Sequence, residues 1–188
     1  MLKEFSEIRK KLEQYDSKRE ELIKKSRDLL KVSKQVIYSV HRGNKKEAAE
    51  QVNNANKIKK ELDKIAEFDK KMVFEGSYSD ACQEYTEAIC YYMFLEKGKL
   101  PGLNELNVDY EDYLMGLCDL TGELTRMAVA MATQRKQKEF EKIKDFVEDL
   151  YGEFLKFDLR NGNLRKKYDS LKWNIKRLEE VWYDIKTK

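Results

Sequence analysis

Apolar and small residues recur in steps of three and four along almost the whole chain, the spacing of amphipathic helices rather than the strict alternation of strands. From Phe5 the positions run 5, 8, 12, 15, 22, 26, 29, 33, 36 and 40, with Arg19 the one interruption, and predict a single long first helix. Gly43 and Asn44 supply its stop. Ala48, Val52, Ala55, Ile58, Leu62, Ile65 and Met72 restart the period, so a second long helix is expected to fold back on the first as an antiparallel hairpin. Gly76 and Ser77 mark the next break, and Ala81, Tyr85, Ala88, Tyr92 and Leu95 trace a third helix ending near Gly98. Asp109 is placed to cap a fourth, with Glu111 and Asp112 in its first turn and Tyr110, Leu114, Leu117, Leu120, Leu124, Met127 and Met131 as its buried row. After a polar link at 134–138, Phe140, Ile143, Val147, Leu150 and Phe154 give a fifth helix. Beyond Asn161 and Gly162, Leu164, Tyr168, Leu171, Ile175, Leu178, Trp182 and Ile185 give a sixth. The fold class predicted is all-α, an antiparallel bundle of long helices without internal repeats.

Composition adds limits. The 188 residues, 41% hydrophobic, suffice for one core, so a single domain over 1–188 is expected. One proline, eight glycines and 39% charged residues fit long helices with solvated outer faces. Ile23, Leu30 and Ile37 widen the first helix's apolar face beyond a single seam, which points to self-association. Cys82, Cys90 and Cys118 are odd in number and set in apolar helical pattern, as packing thiols of a reducing compartment are. No signal-peptide core and no membrane-length apolar run occurs, so a cytoplasmic protein with no membrane partner is expected.

Net charge is only +3, so any surface for nucleic acid must be local. The first helix carries one: Lys24, Arg27, Lys31, Lys34, Tyr38, His41 and Arg42 share a side across five turns, with Glu20 and Asp28 nearby to weaken its field. Evenly spaced cations with an aromatic suit a phosphate backbone, and equally suit an ordinary lysine-rich face.

With a single histidine, His41, chemistry that needs a histidine pair is excluded, and the common zinc and nucleotide-binding motifs do not occur. Carboxylates are what remains. Glu84 and Glu87 stand one turn apart on the third helix, and Asp112, Asp119 and Glu123 fall within about 40° of one another on the fourth. Were the two helices neighbours, these faces would form an oxygen-rich site of the kind magnesium or manganese prefers. Most carboxylates at such spacing are solvated surface residues, so spacing alone identifies no site. If they do cluster, neutralising one relieves repulsion and does not destabilise the fold.

Four segments then carry a resemblance: KREELIKKSRDLLKVSKQVIYSVHRG from Lys18, EYTEA at 84–88, DYLMGLCDLTGELTRM at 112–127 and NLRKKYDSLKWNIKRLEEVWYDIK at 163–186. In this order, over nearly the whole chain, they resemble the translin superfamily, which comprises translin and translin-associated factor X. The resemblance implies a protomer of about seven helices, the seventh supplied by a short helix around 103–106 or by a break inside one of the six. It also implies a closed homo-octameric shell, RNA against its inner surface and, in the factor X lineage, magnesium-dependent RNA cleavage. Glu84, Glu87 and Asp119 match acids of that lineage, whereas translin proper has an apolar residue in the slot of Asp119. Glu123 matches an acid of both lineages and is assigned an assisting role. The stretch after Asn161 looks more like translin, as in a simpler, archaeal-type homo-oligomer. The expectation is thus a metal-dependent endoribonuclease with Glu84, Glu87 and Asp119 on Mg2+ (or Mn2+), Glu123 assisting, and Lys24, Arg27, Lys31, Lys34 and Arg42 on RNA. The alternative is a shell that binds RNA or single-stranded DNA without cutting it.

Overall fold

The computed structural model describes residues 2–187, and among them every regular element is helical. The chain forms two compact units, Met1–Ile89 and Cys90–Lys188. The first holds α1 (Leu2–His41), α2 (Lys45–Ala66), a 3-10 turn at Met72–Phe74 and the first part of α3 (Gly76–Lys97). The second holds the end of α3, then α4 (Leu103–Leu106), α5 (Tyr110–Thr133), α6 (Gln137–Phe154) and α7 (Asn163–Thr187).

In the first unit α1 ends where Gly43 takes a left-handed φ of 68°, a conformation glycine adopts without steric cost. Asn44 then opens α2, its side chain accepting from the Glu47 amide at 3.3 Å. The predicted hairpin follows: Lys25 Nζ on α1 meets Glu61 on α2 at 2.9 Å, and Arg19 meets Glu75 further along, so the strands of contact run in opposite directions. α2 is shorter than its apolar pattern suggests. Asp69 accepts from the Lys71 amide with its side chain and from the Met72 amide with its carbonyl, both at 2.8 Å, a local turn that competes with helix continuation. Met72 is buried all the same, within the 3-10 turn.

The buried row of α2 keeps Ala48, Val52, Ala55 and Leu62 as expected but departs from the expected one at two positions, where Lys59 and Ala66 replace Ile58 and Ile65. Lys59 lies in it, between Ala55 and Leu62, while Ile58 and Ile65 are only half-buried. At 2% exposure the Lys59 ammonium needs partners, and it has them: both Asp63 oxygens at 2.6 and 2.7 Å, and the Tyr78 ring 5.9 Å away. Tyr78 donates to the same Asp63 at 2.9 Å, and Tyr85 donates to Asn56 at 2.7 Å, which ties α3 antiparallel to α2.

In the second unit α5, α6 and α7 pack on one another. Asp109 caps α5 as its position predicted, accepting from the Glu111 amide at 2.9 Å. α4 is the short helix anticipated at 103–106, closed by left-handed Asn107. Tyr110 is exposed rather than part of the core row, at the first position of α5. Fully buried Leu120, Leu124, Phe140, Val147, Phe154, Leu171 and Leu178 fill the centre. Phe140 stacks on Trp182 and Tyr151 stacks on Tyr168, pairs whose order runs α6 antiparallel to α7. Truncating Phe140 would cost roughly 3–5 kcal/mol by the usual scale of large core deletions.

Candidate functional site

In the first unit the basic residues proposed from sequence lie where that reading put them. Lys24, Arg27, Lys31 and Lys34 are exposed along α1, and Arg42 is exposed just past its end. Arg42 donates to the Tyr38 hydroxyl at 2.9 Å and lies over its ring at 5.5 Å, so the upper end of the stripe is a preorganised cation and aromatic surface. This contact raises the already high guanidinium pKa further.

The acids of α3 lie beside this stripe. From Ala81 to Tyr91 every residue is buried except Glu84, which is partly open. Its carboxylate stands 4.0 Å from Lys34 Nζ. Glu87, one turn on, is 8% exposed. Thr86 spends its hydroxyl on the Cys82 carbonyl at 2.8 Å, which satisfies a buried donor inside the helix itself.

In the second unit Asp119 and Glu123 are partly open on α5, while Asp112, two turns before Asp119, is buried. Lys167 of α7 donates to Asp119, and Arg126 lies 3.7 Å from Glu123. Just behind them Asn174 donates to the Thr121 hydroxyl at 2.8 Å, and Gly122 brings the α5 backbone close enough that an added Cβ would sit 3.9 Å from the Asn174 amide nitrogen. Burial raises the Cys118 thiol to about 12, with the Asp119 charge adding to it. Burial, with Glu123 nearby, likewise holds the Tyr91 phenol neutral well above its ordinary value.

The donor chemistry suits a hard divalent cation. Asp119 and Glu123 are carboxylates one turn apart on α5, and Glu84 and Glu87 are another such pair on α3. Magnesium takes one or two protein carboxylates, with water and substrate phosphate completing its shell. No group of three or more His, Cys, Asp or Glu is gathered for a metal among the described residues, so each pair is weighed as a site of few protein ligands.

Sequence reasoning did not pair Lys167 with Asp119, and nothing local could have done so, because the two lie on different helices 48 positions apart. Lys59 was missed for another reason: a lysine reads as surface, and its only signal was Asp63 four residues on.

A family model described as the Translin family matches residues 17–188. An uncharacterized protein of Methanocaldococcus jannaschii is 34% identical over 158 residues, covering 82% of this chain and 70% of that one. Human translin is 35% identical over 99 residues, which span 53% of this chain and 42% of translin, so the match takes in less than half of translin's length. The translin-associated protein X homolog of Schizosaccharomyces pombe is 24% identical over 97% of this chain and 87% of its own. Among solved structures, the complex of AfC3PO with duplex RNA superposes with a TM-score of 0.90 at 26% identity, over 98% of this chain and 97% of that one. Apo-NeC3PO gives the same TM-score and identity. The chain belongs to the translin family.

Proposed function

We propose that this protein is an RNA-binding homo-oligomer, an octamer by family likeness, that hydrolyses phosphodiester bonds with magnesium. The observation that carries the reading is the approach of Lys34 to Glu84: within the first unit, a cation of the basic stripe and the start of an acid pair share one patch of surface. The neighbour solved with duplex RNA supports a nucleic-acid ligand for this fold. Three buried free thiols suit a reducing, cytoplasmic setting.

In this mechanism Lys24, Arg27, Lys31, Lys34 and Arg42 hold the RNA backbone by charge, without reading bases. Glu84 and Glu87 on α3, and Asp119 on α5 with Glu123 assisting, would be the residues to hold the metal. When bound there, magnesium, or manganese in its place, would supply Lewis acidity toward the scissile phosphate and an activated water. Glu87, set in a buried stretch of helix, holds its carboxylate in one place, and Lys34 draws the adjacent phosphate toward the acids while offsetting their charge. His41 has no part in proton transfer.

A second reading, a shell that binds RNA or single-stranded DNA without cutting, is favoured by a different observation. Glu84, Asp119 and Glu123 each have a cation beside them, Lys34, Lys167 and Arg126, as structural ion pairs would. Incubating the purified chain with a short end-labelled RNA and magnesium, beside the Glu84→Gln/Glu87→Gln variant, separates the two. Cleavage by the parent alone, stopped by EDTA and leaving 5′-phosphate and 3′-hydroxyl ends, is expected. Binding by both without cleavage supports the non-catalytic shell, and 2′,3′-cyclic ends exclude water as the nucleophile.

A further inference from the structure

The N-terminal part of α1 extends beyond two side-chain ties to the rest of its unit. Tyr15 donates to Glu75 at 3.2 Å and Arg19 meets the same carboxylate at 2.9 Å. Before them residues 2–14 continue the helix with every side chain exposed, an arm about 20 Å long. Its nucleation cost is already met by the long helix it extends.

The arm is not polar all round. Phe5, Ile8 and Leu12 are 61%, 52% and 59% exposed and lie on one seam, at the spacing of coiled-coil a, d and a positions. Such a stripe is out of place on a free helix. The residues flanking it decide what fits. With Phe5 at a, the g positions are Glu4 and Lys11 and the e positions are Arg9 and Asp16. In a parallel, in-register pair each g residue faces the e residue five positions on in the partner, which sets Glu4 against Arg9 and Lys11 against Asp16. Both pairings are of opposite sign. The antiparallel pairing that places Ile8 against Leu12 would bring Arg9 against Arg9 and Lys11 against Lys11. A membrane surface fits less well, because Glu4, Glu7 and Glu13 are interspersed among Lys3, Arg9, Lys10 and Lys11 instead of leaving a polybasic face.

We infer that the α1 arm is a contact between copies of this chain, a short parallel two-stranded coiled coil built on Phe5, Ile8 and Leu12. The inference rests on the self-association in the proposed function and names a surface for it. The family match begins at residue 17, so the seam lies outside the segment that the family model describes.

Sedimentation velocity of the full chain, beside the Phe5→Ser/Ile8→Ser/Leu12→Ser variant, tests it. The parent is expected to sediment as an oligomer and the variant at half its mass or less, with helix content and melting temperature retained because the three side chains are exposed and outside the buried core. An unchanged mass in the variant overturns the inference and leaves self-association standing. A monomeric parent overturns both. Disulfide trapping gives a reading that does not depend on how the triple variant folds: Leu12→Cys should cross-link under mild oxidation and Gln14→Cys should not. Failure of Leu12→Cys to cross-link in an intact oligomer excludes the parallel seam. Co-pelleting of the parent with anionic phospholipid vesicles, lost in the variant at unchanged mass, would assign the arm to a lipid surface instead.

Discussion

Lys167, in the second turn of α7, is bonded through its ammonium to the carboxylate of Asp119 on α5. Both side chains are about one third exposed, so the pair stabilises the fold by less than about 1 kcal/mol. Asp119→Asn should therefore lower the melting temperature slightly instead of raising it, because an attraction to lysine is lost rather than a repulsion among acids. Under the proposed mechanism the same variant should bind RNA and fail to cut it. A fully active Asp119→Asn protein would remove Asp119 from the site.

An ammonium on a proposed metal ligand also competes with the metal. Lys167→Met should raise magnesium affinity on the order of fivefold, the equivalent of about 1 kcal/mol, in calorimetric titration. Weaker binding would mean that Lys167 positions Asp119 for the cation and does not compete with it.

Charge removal on α1 should weaken all RNA sequences about equally and leave the cut positions unchanged. Replacing Arg27 and Lys31 together by glutamine should lessen the slope of log affinity against log salt by about 1.4 for single strands, at roughly 0.7 per phosphate contact. An unchanged slope would turn attention to Arg160, Arg165 and Lys166, where α7 begins.

The thiols provide a test of packing. Burial lifts Cys90 and Cys118 to about 12. At pH 8 each is then about a thousandfold poorer in thiolate than an ordinary cysteine, and native protein should resist alkylation there until denatured. Because the folded state holds these protons more tightly than the unfolded chain, stability should fall as pH rises from the ordinary thiol value near 9 toward 12, and the two Cys→Ala changes should flatten that loss.

The six long helices were legible because periodicity, glycine stops and an aspartate cap act locally, whereas the short α4 was anticipated only from the family resemblance; the Asp109 cap and the Gly43 turn needed no tertiary information. Where side chains compete with the backbone, legibility ended. The Asx turn at Asp69 cut α2 short within an unbroken apolar pattern, and Lys59 took a core position that only its Asp63 and Tyr78 partners make tolerable. Of the candidate site, the exposed basic stripe could be read from α1 alone. Lys34 beside Glu84 and Lys167 beside Asp119 could not, since they reach across from other helices, whereas Arg126 stands three residues from Glu123 on the same helix.

Arg135, in the link between α5 and α6, is left-handed at a φ of 58°, which costs a side-chain-bearing residue about 1 kcal/mol. Arg135→Gly should raise the melting temperature by roughly 2–4 °C in a chain of this size. A lowered value would mean that the arginine side chain contributes more than its backbone strain costs.

The enclosure of α3 bears on how the protein can change over generations. Between Ala81 and Tyr91 a random substitution meets packed neighbours at every position but one, so this helix can drift very little. The exception is position 84, which is partly open and where Glu84 meets Lys34 of α1 at the surface. In a saturation library selected only for folding, position 84 should scatter across many residue types while its neighbours hold. Selected instead for RNA turnover, it should collapse back to an acid, and the difference between the two libraries at that single position would separate what the helix needs to exist from what it is there to do.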